Sequence, residues 1–274
     1  MMLSTFPFRA VVSDLDGTLL NAQHKIGHFT IRTLEKLAQK HVDIILATGR
    51  NYTDVSSILG KVDVEHAVMI TSNGARVHDL QGNLLLTNSL PEALAFALMN
   101  IDFDPARVCV NSYQDDGWFI NRDVPQLRQY HQDSGFMYEV VDFATHHGRA
   151  TEKVFYIAKQ AQDLLPIEQY IRQHFADQVS MTYSTPVCLE VMNKNVSKAT
   201  ALLQVLAERD YQEADCIAFG DGMNDVDMLL EVGKGCIMGN ADPRLKQACA
   251  QLEQIGLNQH EAVASYLRAI FGVY

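Results

Sequence analysis

Three short polar clusters carry the residues that could do chemistry. The first is Asp14-Leu15-Asp16-Gly17-Thr18, directly after the apolar run Phe8–Ser13. Residues i and i+2 at a strand end can point the same way, so Asp14 and Asp16 would place two carboxylates near one point. Such a pair is unfavourable unless a cation sits between the acids or one stays protonated. Gly17 permits a tight turn. A solvated turn uses the same residues, so this cluster alone leaves both readings open. The second cluster is Ala47-Thr48-Gly49-Arg50, at the end of the apolar run Val42–Ala47. It offers a hydroxyl and backbone amides at a helix start, which is a ready anion site; an ordinary N-cap threonine fits it equally. The third is Gly220-Asp221-Gly222-Met223-Asn224-Asp225, after Cys216–Phe219. Asp225 stands where G-x-G-x-x-G needs its last glycine, so a dinucleotide fingerprint fails on spacing. An oxygen-rich cluster of two acids and an amide suits Mg²⁺, which prefers carboxylates, carbonyls and water. Lys198 is a fourth candidate. It falls in the first turn of a predicted helix, where a cation opposes the helix dipole unless a neighbour uses it.

The elements around these clusters alternate strand and helix. Helical spacing runs over Phe29–Lys40, Thr53–Leu59, Val196–Glu208, Asp225–Glu231, Pro243–Ala250 and His260–Phe271. Short apolar runs fall at Ala67–Ile70 and Gly235–Met238 as well as before each cluster. This pattern predicts parallel βαβ units, an α/β fold with a Rossmann-like, mostly parallel sheet. All three clusters then lie at carboxyl ends of strands, where open α/β sheets bind ligands. Between the halves the pattern changes. A hairpin is expected around Asp79-Leu80-Gln81-Gly82. Helix-like Glu92–Met99, Gln126–Gln132 and Asp163–Phe175 follow, with strand-like Val108–Val110, Trp118–Ile120, Lys153–Ala158 and Val179–Tyr183. The reading is a discontinuous core, 1–83 and 187–274, interrupted by an α+β cap at 84–186.

Composition excludes several classes. The chain has 274 residues, is 47% hydrophobic, and carries 22 basic against 33 acidic residues, a net charge of −11. Neither nucleic acid nor an anionic membrane is the expected partner of so acidic a chain. No apolar run is long enough to span a bilayer, and Met1–Val12 does not read as a signal peptide. The five cysteines, Cys109, Cys188, Cys216, Cys236 and Cys249, are odd in number and lack C-x-x-C spacing. They are expected as buried thiols in a reducing cytoplasm.

The ordered series D-x-D-G-T, T-G-R, K and G-D-x-x-N-D resembles the haloacid dehalogenase superfamily of phosphohydrolases. Thr71-Ser72-Asn73-Gly74-Ala75 and Met238-Gly239-Asn240-Ala241 are similar to its Cof-type branch, which carries a large type IIB cap. Ser72–Leu80, Thr185–Met192 and Cys216–Phe219 resemble bacterial members described as pyridoxal-phosphate and sugar-phosphate phosphatases. Ala199 stands where many members have glycine, and Glu261-Ala262-Val263-Ala264 replaces a common D-G-V-A.

The resemblance implies roles. Asp14 would be the nucleophile that forms an aspartyl-phosphate. Asp16 would protonate the leaving alkoxide and then deprotonate water, which requires a pKa lifted toward neutrality. Thr48 and Lys198 would complete the catalytic set by holding phosphate oxygens. Mg²⁺ would be held at Asp14, Asp221 and the Asp16 carbonyl, with Asp225 in support. Leu15, Gly17, Gly49, Arg50 and Asn224 would join Thr48 and Lys198 around the phosphate or substrate. The implied partner is a small phosphorylated metabolite, and the implied state is a monomer or weak homo-oligomer. From the cap, Tyr113, Asp115, Trp118, Arg122, Lys153 and Tyr183 are candidate substrate contacts, with Arg50, Asn73 and Glu190 at the mouth. A phosphomutase and a phosphate-sensing protein without turnover are the alternatives on the same fold; an intact Asp16 speaks against the sensor. His146-His147 is read as a polar loop.

Overall fold

The computed structural model describes residues 7–115, 117–131 and 134–274. The start of the stretch read as lacking a signal peptide, residues 1–6, lies outside them, as does Gln132.

The first half of the core builds a sheet from buried runs. β1 (Ala10–Ser13) is buried at every position. It leads through an irregular turn, with Gly17 at φ 75°, to α1 (His28–Ala38). β2 (Asp43–Ala47), α2 (Tyr52–Leu59) and β3 (Ala67–Thr71) follow. β4 (Arg76–Asp79) and β5 (Leu84–Thr87) form the expected hairpin, antiparallel to β3.

The cap comprises α3 (Glu92–Met99), β6 (Val108–Gln114), β7 (Gly117–Ile120), β8 (Tyr138–Val140), β9 (Thr151–Ala158), α4 (Leu165–Phe175), β10 (Val179–Thr185) and β11 (Cys188–Asn193). Its six strands order as β10-β11-β9-β6-β7-β8.

The chain then returns to the core with α5 (Lys198–Glu208), β12 (Cys216–Gly220), α6 (Val226–Glu231), β13 (Lys234–Ile237), α7 (Pro243–Ala248), β14 (Glu253–Gln254) and α8 (Ala262–Phe271). The core sheet has eight strands ordered β14-β13-β12-β1-β2-β3-β4-β5. It is parallel from β14 to β3. Strands buried on both faces read as near-continuous apolar runs, which is why β1, β2, β3 and β12 are legible in the sequence.

The α/β architecture is as expected, and both chain crossings differ in position. β5 pairs with β4 in the core sheet, so the first crossing follows Thr87 rather than residue 83. β11 pairs with β9 and β10, so the return to the core follows Asn193 rather than residue 186. The hydrogen-bonded ladder sets these boundaries, and the turn before Cys188 joins two neighbouring cap strands. The helix-like stretch near Gln126 is a 3₁₀ run, Pro125–His131.

β1 stands between β12 and β2, and both neighbours run parallel to it. The chain leaves β1 toward β2, while β12 arrives from the far half. This reversal is the switch point at which doubly wound sheets bind ligands.

Gly74 fixes the turn after β3. Its φ is +102°, and a Cβ there would stand 2.3 Å from the Ser197 carbonyl oxygen. Gly74→Ala should therefore lose about 2–3 kcal/mol of stability, measured by urea unfolding.

Candidate active site

Asp14 follows β1, and its N–H donates to the Phe219 carbonyl of β12 at 3.0 Å. Asp221 and Asp225 come from the turn after β12, so the two turns meet across the switch point. Lys198 opens α5, whose first turn is locked by a capping box between Ser197 and Thr200. The lysine Nζ donates to Asp14 Oδ1 at 2.6 Å and to Asp225 Oδ1 at 2.7 Å. Asp225 Oδ2 accepts the N–H groups of Asp221 and Gly222 at 3.0 and 2.9 Å. Thr18 donates its hydroxyl to Asp221 Oδ1 at 3.0 Å.

Carboxylate oxygens of Asp14, Asp221 and Asp225 lie within 4.8 Å of one another. Burial pushes the Asp14 pKa well above the usual carboxylate range; Lys198 opposes the shift while Asp225 and Asp221 add to it. Burial and the Asp225 charge push Asp221 up to about 7. Burial also works against the charge on Lys198, but Asp14 and Asp225 outweigh it and hold its pKa above the usual lysine value. Three acids thus face one ammonium, and a further cation would relieve the surplus. The donors are hard oxygens, a set that fits Mg²⁺. Asp14 and Asp221 are the better placed to ligate, because Asp225 already spends its oxygens on Lys198 and the backbone.

Asp16 departs from expectation. Arg50 donates to it bidentately, Nε to Oδ2 and Nη2 to Oδ1, both at 2.6 Å. His24 Nδ1 lies 3.1 Å from Oδ1. Burial would raise this acid, but the Arg50 and His24 hydrogen bonds outweigh it and hold the pKa well below the usual carboxylate range. Asp16 is therefore ionised here and not poised as a proton donor. The sequence shows the two carboxylates but not the guanidinium that clamps the second.

A cavity of about 500 Å³ opens between core and cap. Asp14, Asp16, Gly17, Thr48, Gly49 and Arg50 border it from the core, with Asp221 and Asn224. Lys198 and Asp225 do not line it; they stand behind Asp14. The Leu15 side chain is buried in the core, so only its backbone could meet a phosphate. Tyr113, Trp118 and Lys153 border the cavity from the cap as expected, beside Leu127, Phe155 and Ile157. The other cap candidates serve elsewhere. Tyr183 donates to Glu168 at 2.7 Å, Asp115 stands 3.8 Å from Arg76, and Arg122 is not on the wall. His146 bonds Gln114, and His147 stacks on Phe96. Both are packing residues.

A polar chain ties the cap to the site. Asn224 donates to Asn73 Oδ1 at 3.0 Å. Asn73 donates to Glu190, which pairs with Lys153. Lys153 in turn donates to the Gly49 carbonyl at 2.8 Å. Sequence reasoning missed His24 and His131, which also border the cavity; neither lies in a recognisable spacing.

A parallel sheet with acids crowded at its switch point, closed over by an inserted cap, defines an α/β phosphatase of the phosphohydrolase type. The chain belongs to the haloacid dehalogenase-like hydrolases, whose family model matches residues 11–267. A Haemophilus influenzae protein, provisionally named a phosphatase, is 63% identical over 97% of this chain and 98% of its own. An HMP-PP phosphatase of Yersinia pseudotuberculosis is 36% identical over 95% of this chain and 94% of its own. A solved subclass IIB sugar phosphatase of the superfamily superposes with a TM-score of 0.77 at 19% identity, covering 97% of this chain and 100% of its own. The protein is a phosphatase of small phosphorylated substrates with a Cof-type cap. Among the described residues no helix is long and apolar enough to cross a membrane.

The raised acid gives a pH signature. Asp221 binds its proton more tightly folded than unfolded, because its pKa rises from 3.8 to about 7. Its stabilising contribution is complete below the unfolded value and is lost as pH rises through the folded one. In EDTA the thermal midpoint should fall as pH rises from about 5 to about 8, and a saturating divalent cation should remove most of that fall. A calorimetric pH series with both buffers checks this; a flat EDTA series would contradict it.

Proposed function

We propose that the protein is a Mg²⁺-dependent phosphomonoester hydrolase working through an aspartyl-phosphate on Asp14. The observation that carries this reading is the convergence of Asp14, Asp221, Asp225 and Lys198 beside one cavity, with Asp14 and Asp221 on its wall together with Thr48, Arg50 and Asn224.

Phosphate esters gain most from positioning and charge neutralisation. Thr48, Asn224 and the backbone of Leu15, Gly17 and Gly49 hold phosphate oxygens. Lys198 aims Asp14 and offsets its charge from behind. Asp14, Asp221 and the Asp16 carbonyl, with Asp225 in support, would hold Mg²⁺, which would supply Lewis-acid neutralisation of the phosphoryl oxygens. A carboxylate oxygen of Asp14 attacks phosphorus, and the ester oxygen leaves with a proton from Asp16. Asp16 then takes a proton from water as the water oxygen attacks phosphorus, releasing phosphate and restoring Asp14. An incoming phosphate dianion competes with Asp16 for Arg50. Losing that partner lets the Asp16 pKa rise toward the range a proton donor needs.

The aromatic cap wall suits a flat ring, so pyridoxal 5′-phosphate is the favoured substrate, with sugar phosphates next. The Yersinia relative's HMP-PP activity adds a third candidate. The free cysteines support a reducing cytoplasm, and the protein works there as a monomer or weak homo-oligomer.

Purified protein should release inorganic phosphate from a panel of these esters with Mg²⁺ and lose that activity in EDTA. Free phosphate separates hydrolysis from a mutase reaction. Asp14→Asn should cut kcat by more than about 1,000-fold with the fold intact by circular dichroism. Normal turnover in that variant would overturn the covalent reading.

A further inference from the structure

A second buried polar cluster lies on the cavity wall, apart from the carboxylates that face phosphorus. Asp54, in the first turn of α2, is 1% exposed. Its Oδ2 accepts from Asn51 Nδ2 at 2.9 Å and meets Nδ1 of His131. Its Oδ1 accepts the hydroxyl of Ser134. Asn51 and Asp54 belong to the core, while His131 and Ser134 belong to the cap. A core carboxylate therefore fixes the orientation of a cap imidazole.

His131 is 8% exposed and borders the cavity. Trp118 packs edge-on against it with ring centroids 4.7 Å apart, and Phe136 does so at 5.8 Å. Packing and the Asp54 bond together set the ring plane. A histidine's free nitrogen is defined by what its other nitrogen does. With Nδ1–H donated to Asp54, Nε2 is the ring's remaining acceptor position. Nε2 takes no hydrogen bond among the described residues. The ring borders the cavity, so a donor on a bound ligand can reach it.

We propose that His131 Nε2 is a specificity contact, accepting from an O–H or N–H donor on the leaving alcohol while the phosphate lies at Asp14, with Asp54 as its positioning residue. The substrate class is a flat ring carrying such a donor. The ring fills the space beside Trp118, Tyr113 and Phe155, and the donor meets the only uncommitted nitrogen of His131. A purely structural tie between core and cap would need only Nδ1 and would be indifferent to groups on the substrate ring.

This inference rests on the phosphatase reading above, and the test separates the two. At neutral pH pyridoxal 5′-phosphate carries a ring N–H donor, its phenol being ionised; benzyl phosphate has the same CH₂–O–P linkage and a bare ring. His131→Asn keeps a donor where Nδ1 meets Asp54 and removes Nε2. Asp54→Asn keeps His131 but turns a donor toward Nδ1, which disfavours the tautomer described. In either variant, the kcat/KM ratio of pyridoxal 5′-phosphate to benzyl phosphate should fall about tenfold, the worth of one hydrogen bond. The change should lie in KM for pyridoxal 5′-phosphate, with benzyl phosphate within about twofold of wild type. His131→Gln replaces His131→Asn if the latter does not fold. An unchanged ratio, including equal losses on both esters, overturns the proposal, as does a wild type that does not prefer pyridoxal 5′-phosphate. A wild type that releases phosphate from neither ester overturns the phosphatase reading and this inference with it.

Discussion

The site is organised by a charge that has nowhere to go. Asp14, Asp221 and Asp225 are drawn together around a single ammonium, with Lys198 and Asp225 fully buried behind Asp14. Separating charge from water is expensive unless each ion finds a partner. Lys198 meets part of that demand, and the capping box at Ser197 stops its helix from fraying away from the acids. Backbone shape meets another part. A Cβ at Gly17 would stand 2.2 Å from Asp221 Oδ2, and one at Gly220 would stand 2.6 Å from the Asp225 Cβ. The two glycines are the space into which the carboxylates fit. What remains unbalanced is negative, and that residual field makes the pocket receptive to a divalent cation.

The same electrostatics separates two aspartates that stand two residues apart. Asp14 points down toward Lys198 and its fellow acids, where burial favours the protonated form. Asp16 points up to Arg50 and His24, where hydrogen bonds favour the ionised form. Environment, rather than residue type, assigns opposite protonation tendencies to the pair. Arg50 pairs with Asp16 through both ends of its guanidinium fork.

Much of this was legible in the sequence. The strands that carry the acids are apolar on both faces, so their runs are unmistakable, and the polar clusters mark their carboxyl ends. The ordered motifs gave the family. The sequence did not disclose where the sheets end. β11 carries Glu190 in mid-strand, which breaks its apolar run, and the run Leu84–Thr87 reads as a strand without saying which sheet it joins. It also hid the partners that fix each group's state. The Arg50 clamp on Asp16 and the Asp54 bond to His131 span 34 and 77 residues, and no local pattern encodes such a meeting. Side chains used for packing, such as His147, look the same in one dimension as those that line the cavity.

The seam between cap and core carries the last piece of logic. Asn224, beside the acids, is linked through Asn73 and Glu190 to Lys153, which returns to the Gly49 carbonyl in the second cluster. Both ends of this chain lie in loops that border the cavity, and its middle lies in the cap sheet. Seating the cap therefore positions Asn224 and Gly49 together. Buried ion pairs such as Lys153–Glu190 give little net stability, because desolvation offsets their attraction. The seam thus orders Asn224 and Gly49 through directional polar bonds rather than through apolar packing.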